Sequence, residues 1–169
     1  MLPIILCILL AAIVYQDFRY RAVSVYWLCG TLALAVIYSV WLNGWATTFT
    51  NGGINIALIA LQIGGVILYF SLKHKKLTNI INQQLGSGDL LFYGVVAFSF
   101  SPVNFILFSL TAYIIILIVF LILEAFGYRK NIPLAGCLAF FMVIIIILNT
   151  GFHIFEPYHD DQVMSLWIK

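Results

Sequence analysis

Apolar side chains in this chain come in long unbroken runs, and the polar ones gather in the short gaps between them. The first run is Leu2 to Gln16, followed by a cluster holding Asp17, Arg19 and Arg21. The second, Val25 to about Leu42, ends in an uncharged, turn-rich stretch from Asn43-Gly44 through Asn51-Gly52-Gly53. A third, Ile54 to Leu72, stops at Lys73-His74-Lys75-Lys76, and the mixed polar residues Leu77 to Leu85 then lead into Gly86-Ser87-Gly88-Asp89. The fourth run, Leu90 to Ser101, is closed by Pro102, because proline disfavours a helical conformation in the residue before it. The fifth is Val103 to Leu123, and the sixth, Ile132 to Phe152, follows the polar stretch that ends at Asn131. A helical span takes about 20 residues. The pattern therefore predicts an all-α integral membrane protein, a bundle of about six transmembrane helices over 1–152, with 153–169 a short acidic extracytoplasmic tail.

Composition narrows the function classes. Of 169 residues, 64% are hydrophobic and 8% charged, against roughly a quarter charged in soluble domains. Six spans leave on the order of 50 residues for loops and termini, too few for a soluble catalytic domain. The basic residues are confined to short loops and form no extended face, so nucleic acid is not an expected partner. Cys7, Cys29 and Cys137 lie in apolar runs without CxxC pairing and read as small buried hydrophobes, with no disulfide, zinc site or cofactor indicated. The N-terminal run, lacking a positive n-region, reads as the first span rather than a cleaved signal. With six spans, Arg19, Arg21, Lys73, Lys75, Lys76, Arg129 and Lys130 fall on one side. The positive-inside rule makes that side the cytoplasm, puts both termini outside and predicts a multi-pass protein of the cytoplasmic membrane.

The chain has six carboxylates, and only Asp17 and Asp89 precede Glu124. An ionisable residue within a span is costly and is by default a functional-site hypothesis. Leu2 to Gln16 reaches about 22 Å, short of the roughly 30 Å hydrocarbon core, which places Asp17 below the cytoplasmic surface. Counting back from Pro102 to Asp89 gives about 20 Å and the same depth. Each aspartate also has a plainer reading. Asp89 suits a helix N-terminus as a cap, and Asp17, near a helix C-terminus where the dipole disfavours it, can be compensated by Arg19 or Arg21 as a surface ion pair. Taken together at matched depth, the two form a candidate acid–base pair. Two carboxylates in a partly dry site do not both ionise easily, and a split of one anion and one neutral acid serves amide hydrolysis, the anion taking a proton from water and the acid donating to the scissile carbonyl. Such work needs the two carboxylates close, since a gap much beyond about 10 Å leaves no shared water. The glycines of Gly86-Ser87-Gly88 let an extended peptide approach Asp89.

At these residues the sequence resembles the type IV prepilin peptidases and the related archaeal preflagellin peptidases, membrane aspartyl proteases with a GxGD motif. Asp17-Phe18-Arg19-Tyr20-Arg21 is similar to the family's first-aspartate segment, Gly86-Ser87-Gly88-Asp89 matches GxGD, and Ile132-Pro133-Leu134-Ala135 is similar to the sequence that opens the family's last span. Two segments depart from the pattern: Val23-Ser24-Val25 stands where Ile-Pro-Asn is usual, and Leu91 where a lysine is usual. The paired CxxC motifs of the larger members are absent, so the resemblance implies a peptidase without methyltransferase activity. It implies Asp17 and Asp89 as catalytic residues, with Gly86, Ser87, Gly88, Arg19 and Arg21 in support. The substrate would be a prepilin-like, membrane-inserted protein cut at the cytoplasmic boundary just before its hydrophobic helix.

The other polar residues have simpler readings. Glu124 pairs locally with Arg129 and Lys130, the lysines at 73, 75 and 76 anchor the topology, and His74 is solvated. His153, Glu156, His159, Asp160 and Asp161 have metal-ligand residue types but match no known spacing. The tryptophans fit interface belts and core packing, and Ile144 to Ile147 reads as lipid-facing. Two rival functions use the same motifs: a small proton- or cation-coupled transporter or channel component carrying charge on the aspartate pair, and a non-catalytic scaffold of pilus assembly or secretion.

Overall fold

The computed structural model describes residues 1–74, 86–127, 133–152, 157, 158 and 160. The described residues are helical, with no strand: α1 is Leu2–Tyr20, α2 Val25–His74, α3 Ser87–Ser99, α4 Pro102–Ala125 and α5 Leu134–Phe152. Three of them (α1, α2 and α4) are long and apolar enough to cross a membrane, and α3 and α5 contain shorter apolar stretches. The outer surface is apolar as well, with Ile4, Ile8, Leu61, Leu68, Leu117 and Leu121 all exposed. An apolar surface so continuous requires lipid rather than water against it, and the chain is a membrane protein.

Helix α2 is continuous except at Gly44, whose φ of 79° and ψ of 167° belong to a region essentially reserved for glycine. The chain reverses there. Ser39 Oγ and Thr48 Oγ1 are hydrogen-bonded at 3.1 Å, whereas nine residues along a straight helix span about 13.5 Å. The turn-rich stretch expected over 43–53 is therefore a one-residue break, and 45–53 is helix. Gly52 and, just beyond the stretch, Asn55 serve packing instead. A Cβ on Gly52 would run into the Phe98 ring, and Asn55 Nδ2 donates to the carbonyls of Ala97 and Phe100, both at 2.8 Å. The last turn of α3 thus passes its free carbonyls to a side chain of α2.

Helix α3 runs alongside the first limb of α2 in the same direction, with Leu28 against Gly88 and Leu32 against Gly94. Helix α4 returns antiparallel to α3: the Phe100 and Phe108 rings stack at 4.7 Å, and Tyr113 donates to the Tyr93 hydroxyl at 2.6 Å. Helices α1 and α5 are also antiparallel, since Gly136 meets Asp17 near one end while Pro3 and Cys7 face Ile146 and Thr150 near the other. The buried core joins Leu6, Leu10 and Ile13 of α1 to Phe92, Val95 and Val96 of α3, Phe105 of α4 and Leu138 and Met142 of α5.

Two expectations are corrected in detail. Cys29 is exposed and Cys7 and Cys137 are half-buried, so none is a fully buried hydrophobe. Ile145 and Ile146 pack against the core, leaving Ile144 and Ile147 on the outer surface. Within 153–169, the Pro157 carbonyl accepts from Ser101 N–H at 2.9 Å and from Asn104 Nδ2 at 3.3 Å, and the Tyr158 ring lies edge-on to Tyr38 at 5.9 Å. Those contacts cap the start of α4. His74 closes α2, and its side chain lies outside the described residues, as do Lys75, Lys76, Arg129, Lys130, His153, Glu156, His159, Asp161 and Trp167.

Candidate functional site

Helix α1 buries Leu6, Leu10, Ile13 and Asp17. That spacing of four, three and four is one face of a helix, so Asp17 points inward because it continues the stripe that packs the core. It is 7% exposed. Arg19, two positions on, faces out and is exposed. Helix α1 ends when Arg21 adopts a left-handed conformation, φ 53°, with its N–H on the Asp17 carbonyl at 2.9 Å. Gln16 Oε1 then accepts from Ser24 N–H at 3.0 Å, tying down the short connection over 21–24.

Asp89 lies in the first turn of α3, on the same face as Phe92, Tyr93 and Val96, which are buried. Its Oδ2 accepts from Gly86 N–H at 3.3 Å, a capping bond within its own helix. Its Oδ1 reaches a different helix, accepting from Ala135 N–H at 3.0 Å. Asp17 Oδ2 accepts from the next amide along, Gly136 N–H, at 2.5 Å.

The first turn of α5 therefore holds both carboxylates on consecutive backbone amides. Helix N-termini leave their first N–H groups without intrahelical partners and carry the positive end of the dipole. In α5, which follows Pro133 with Cys137 N–H closing the first turn on the Pro133 carbonyl, those donors are satisfied by aspartates from α1 and α3. This is also what compensates Asp17 for its place near the C-terminal end of α1. Peptide geometry limits the two bonded carboxylate oxygens to a separation of no more than about 9 Å.

Beside the pair lies a cavity of about 360 Å³, lined by Asp17, Arg21, Ala22, Val23, Gly86, Gly88, Asp89, Pro133, Leu134 and Ala135. All three sequence segments singled out above meet at this cavity. Of the supporting residues, Gly86, Gly88 and Arg21 line it and Arg19 does not. Ser87 opens α3, but its side chain lies outside the described residues. A side chain at 86 would crowd the Asp89 carboxylate, with a Cβ 3.2 Å from Oδ2, whereas one at 88 would meet only Leu28 Cδ1 at 4.0 Å. Gly86 is thus needed by the aspartate itself, and Gly88 leaves room on the approach to it.

Glu124 is exposed at the far end of α4, and the arginine and lysine expected to pair with it lie outside the described residues. Lys73 sits over the Tyr69 ring at 5.9 Å, a contact in keeping with a membrane-surface anchor. Among the described residues no group of three or more metal-ligand side chains comes together. Sequence reasoning missed Gly136, whose amide holds Asp17. Its only sequence signal is a glycine one position beyond Pro133-Leu134-Ala135, in the first turn of a helix.

No protein-family profile, no curated protein and no solved structure matches this chain.

Proposed function

We propose that the chain is a membrane aspartyl endopeptidase of the prepilin-peptidase type, cutting a membrane-inserted protein at the cytoplasmic boundary of the bilayer. The observation that carries this reading is the placing of Asp17 and Asp89 on adjacent amides of α5, beside a cavity that opens onto both. In this reading the two limbs of α2 count separately and the chain crosses six times, with both termini outside and the basic loops in the cytoplasm. Helix α3, at 13 residues, spans about 20 Å, so Asp89 is recessed below the cytoplasmic surface of a roughly 30 Å core.

The reaction needs only water and the two carboxylates. The anionic carboxylate takes a proton from water as its oxygen attacks the scissile carbonyl carbon, and the neutral one donates its proton to the carbonyl oxygen. The resulting diol collapses, the C–N bond breaks, and the leaving amine takes up a proton. The α5 amides keep each carboxylate oriented, and orientation of this kind supplies a large share of a catalytic rate. Gly88, at the cavity wall, leaves a substrate backbone free to approach without a side chain in its path.

The test is incubation of detergent-purified protein with a synthetic prepilin leader peptide. Cleavage that is lost in both Asp17→Asn and Asp89→Asn supports the peptidase. Cleavage at a near wild-type rate in either variant overturns it. Ion flux in liposomes without cleavage assigns the pair to transport, and neither activity leaves a scaffold.

A further inference from the structure

We infer that Gly136 is a positioning residue for the aspartate pair, and that its lack of a side chain is what lets α5 bring Asp17 to Asp89. The inference rests on the peptidase reading. Helix α1 packs along α5 while α3 packs along α2, and the shared element at the site is the first turn of α5. Asp89 has a second anchor in Gly86 N–H, so its orientation is held within its own helix. Asp17, at the far end of α1, is brought to the site through Gly136.

The approach there is close. A Cβ built on Gly136 would lie 3.0 Å from Asp17 Cβ, 3.0 Å from Phe18 Cδ2 and 3.1 Å from Asp17 Oδ2. The Asp17 Cβ is one bond from the backbone and cannot swing aside, so any side chain at 136 forces α1 away from α5. That movement lengthens the bond from Gly136 N–H to Asp17 and leaves the Ala135 bond to Asp89 in place. The two carboxylates part, while the lining supplied by α3 and the start of α5 (Gly86, Gly88, Asp89, Pro133, Leu134 and Ala135) stays in place. The close contact with the catalytic aspartate is the reason a glycine stands here.

Three variants test this in leader-cleavage assays of the purified full-length protein. Gly136→Ala is expected to lower kcat by about 10- to 100-fold, the cost of misplacing a reacting group by a fraction of an ångström to an ångström, with KM within twofold of wild type. The acidic and basic limbs of its pH–rate profile should also change their separation, because that separation reports the interaction between the two carboxylates. Gly53→Ala, a helical glycine with open space around it, should retain wild-type kcat and KM. Replacing Gly136 with glycolate by nonsense suppression removes the N–H without adding an atom, and should lower kcat even where the alanine variant fails to fold. Wild-type cleavage with an unchanged kcat in the Gly136 variants overturns the inference and leaves the peptidase reading standing. A loss confined to KM likewise overturns it, by making Gly136 a substrate contact. Absence of cleavage by the wild type overturns the peptidase reading, and this inference with it.

Discussion

Asp17 and Asp89, 72 residues apart in the chain, accept hydrogen bonds from neighbouring amides, those of Gly136 and Ala135. Each aspartate is therefore both a candidate catalyst and an N-cap of α5. The two roles separate by substitution. Asparagine keeps an acceptor oxygen for the amide and loses the acid–base function, whereas alanine loses both. Asp89→Ala should lower stability by about 1–2 kcal/mol, as deletion of a helix cap does, and Asp89→Asn by clearly less. Thermal unfolding in detergent measures the difference, and equal losses would show that the carboxylate does not cap α5.

The rate of leader cleavage should depend on pH through a bell, because one carboxylate must be ionised and the other protonated. Each Asp→Asn variant should lose about 10²–10⁴-fold in rate across the whole range. A shifted bell with a near-normal maximum would mean that the substituted aspartate only tunes its neighbour.

Two glycines in α2 should respond oppositely to alanine. Gly44 occupies a backbone region costing other residues about 1–3 kcal/mol, and a Cβ there meets nothing, so the loss is purely conformational. Gly53 is helical with open space, and alanine should stabilise it by about 0.5–1 kcal/mol. Denaturation midpoints of the two variants, moving in opposite directions, check the reversal at residue 44.

Asn55 holds the carbonyls of Ala97 and Phe100 at the end of α3. Asn55→Leu should cost about 1–3 kcal/mol, the penalty of leaving buried acceptors without donors. Hydrogen exchange should rise in α3 and in the second limb of α2, with little change in α5.

Pro157 caps the start of α4 through Ser101 and Asn104. Truncation after Phe152 should lower stability by about 1–3 kcal/mol and leave leader cleavage measurable, since the aspartate pair lies at the opposite end of the helices. Loss of cleavage with unchanged stability would place the tail in the reaction instead.

The two aspartates were legible in the sequence because charge is expensive in an apolar environment. In a chain with so few carboxylates Asp17 and Asp89 stand out, and the spacing of Leu6, Leu10, Ile13 and Asp17 turns the first of them inward. Helix positions followed from the same apolar runs to within a few residues, apart from the stretch after Gly44. There the residue types pointed to a loop. Gly52 is a turn former on its own, and only the Phe98 ring makes it a packing residue; Asn55, in the run that follows, is tied down by the open carbonyls of α3.

By itself the sequence determined an apolar, helical membrane chain and the two acidic positions that stand out from it, because hydrophobic burial and the cost of charge act residue by residue along a chain. The tertiary structure alone decided that those aspartates lie beside one cavity, that consecutive amides of α5 hold them, and that Gly136 comes close against Asp17. Hydrogen bonds between helices and close backbone approaches depend on which elements meet. That is a property of the packed chain, and no local pattern encodes it.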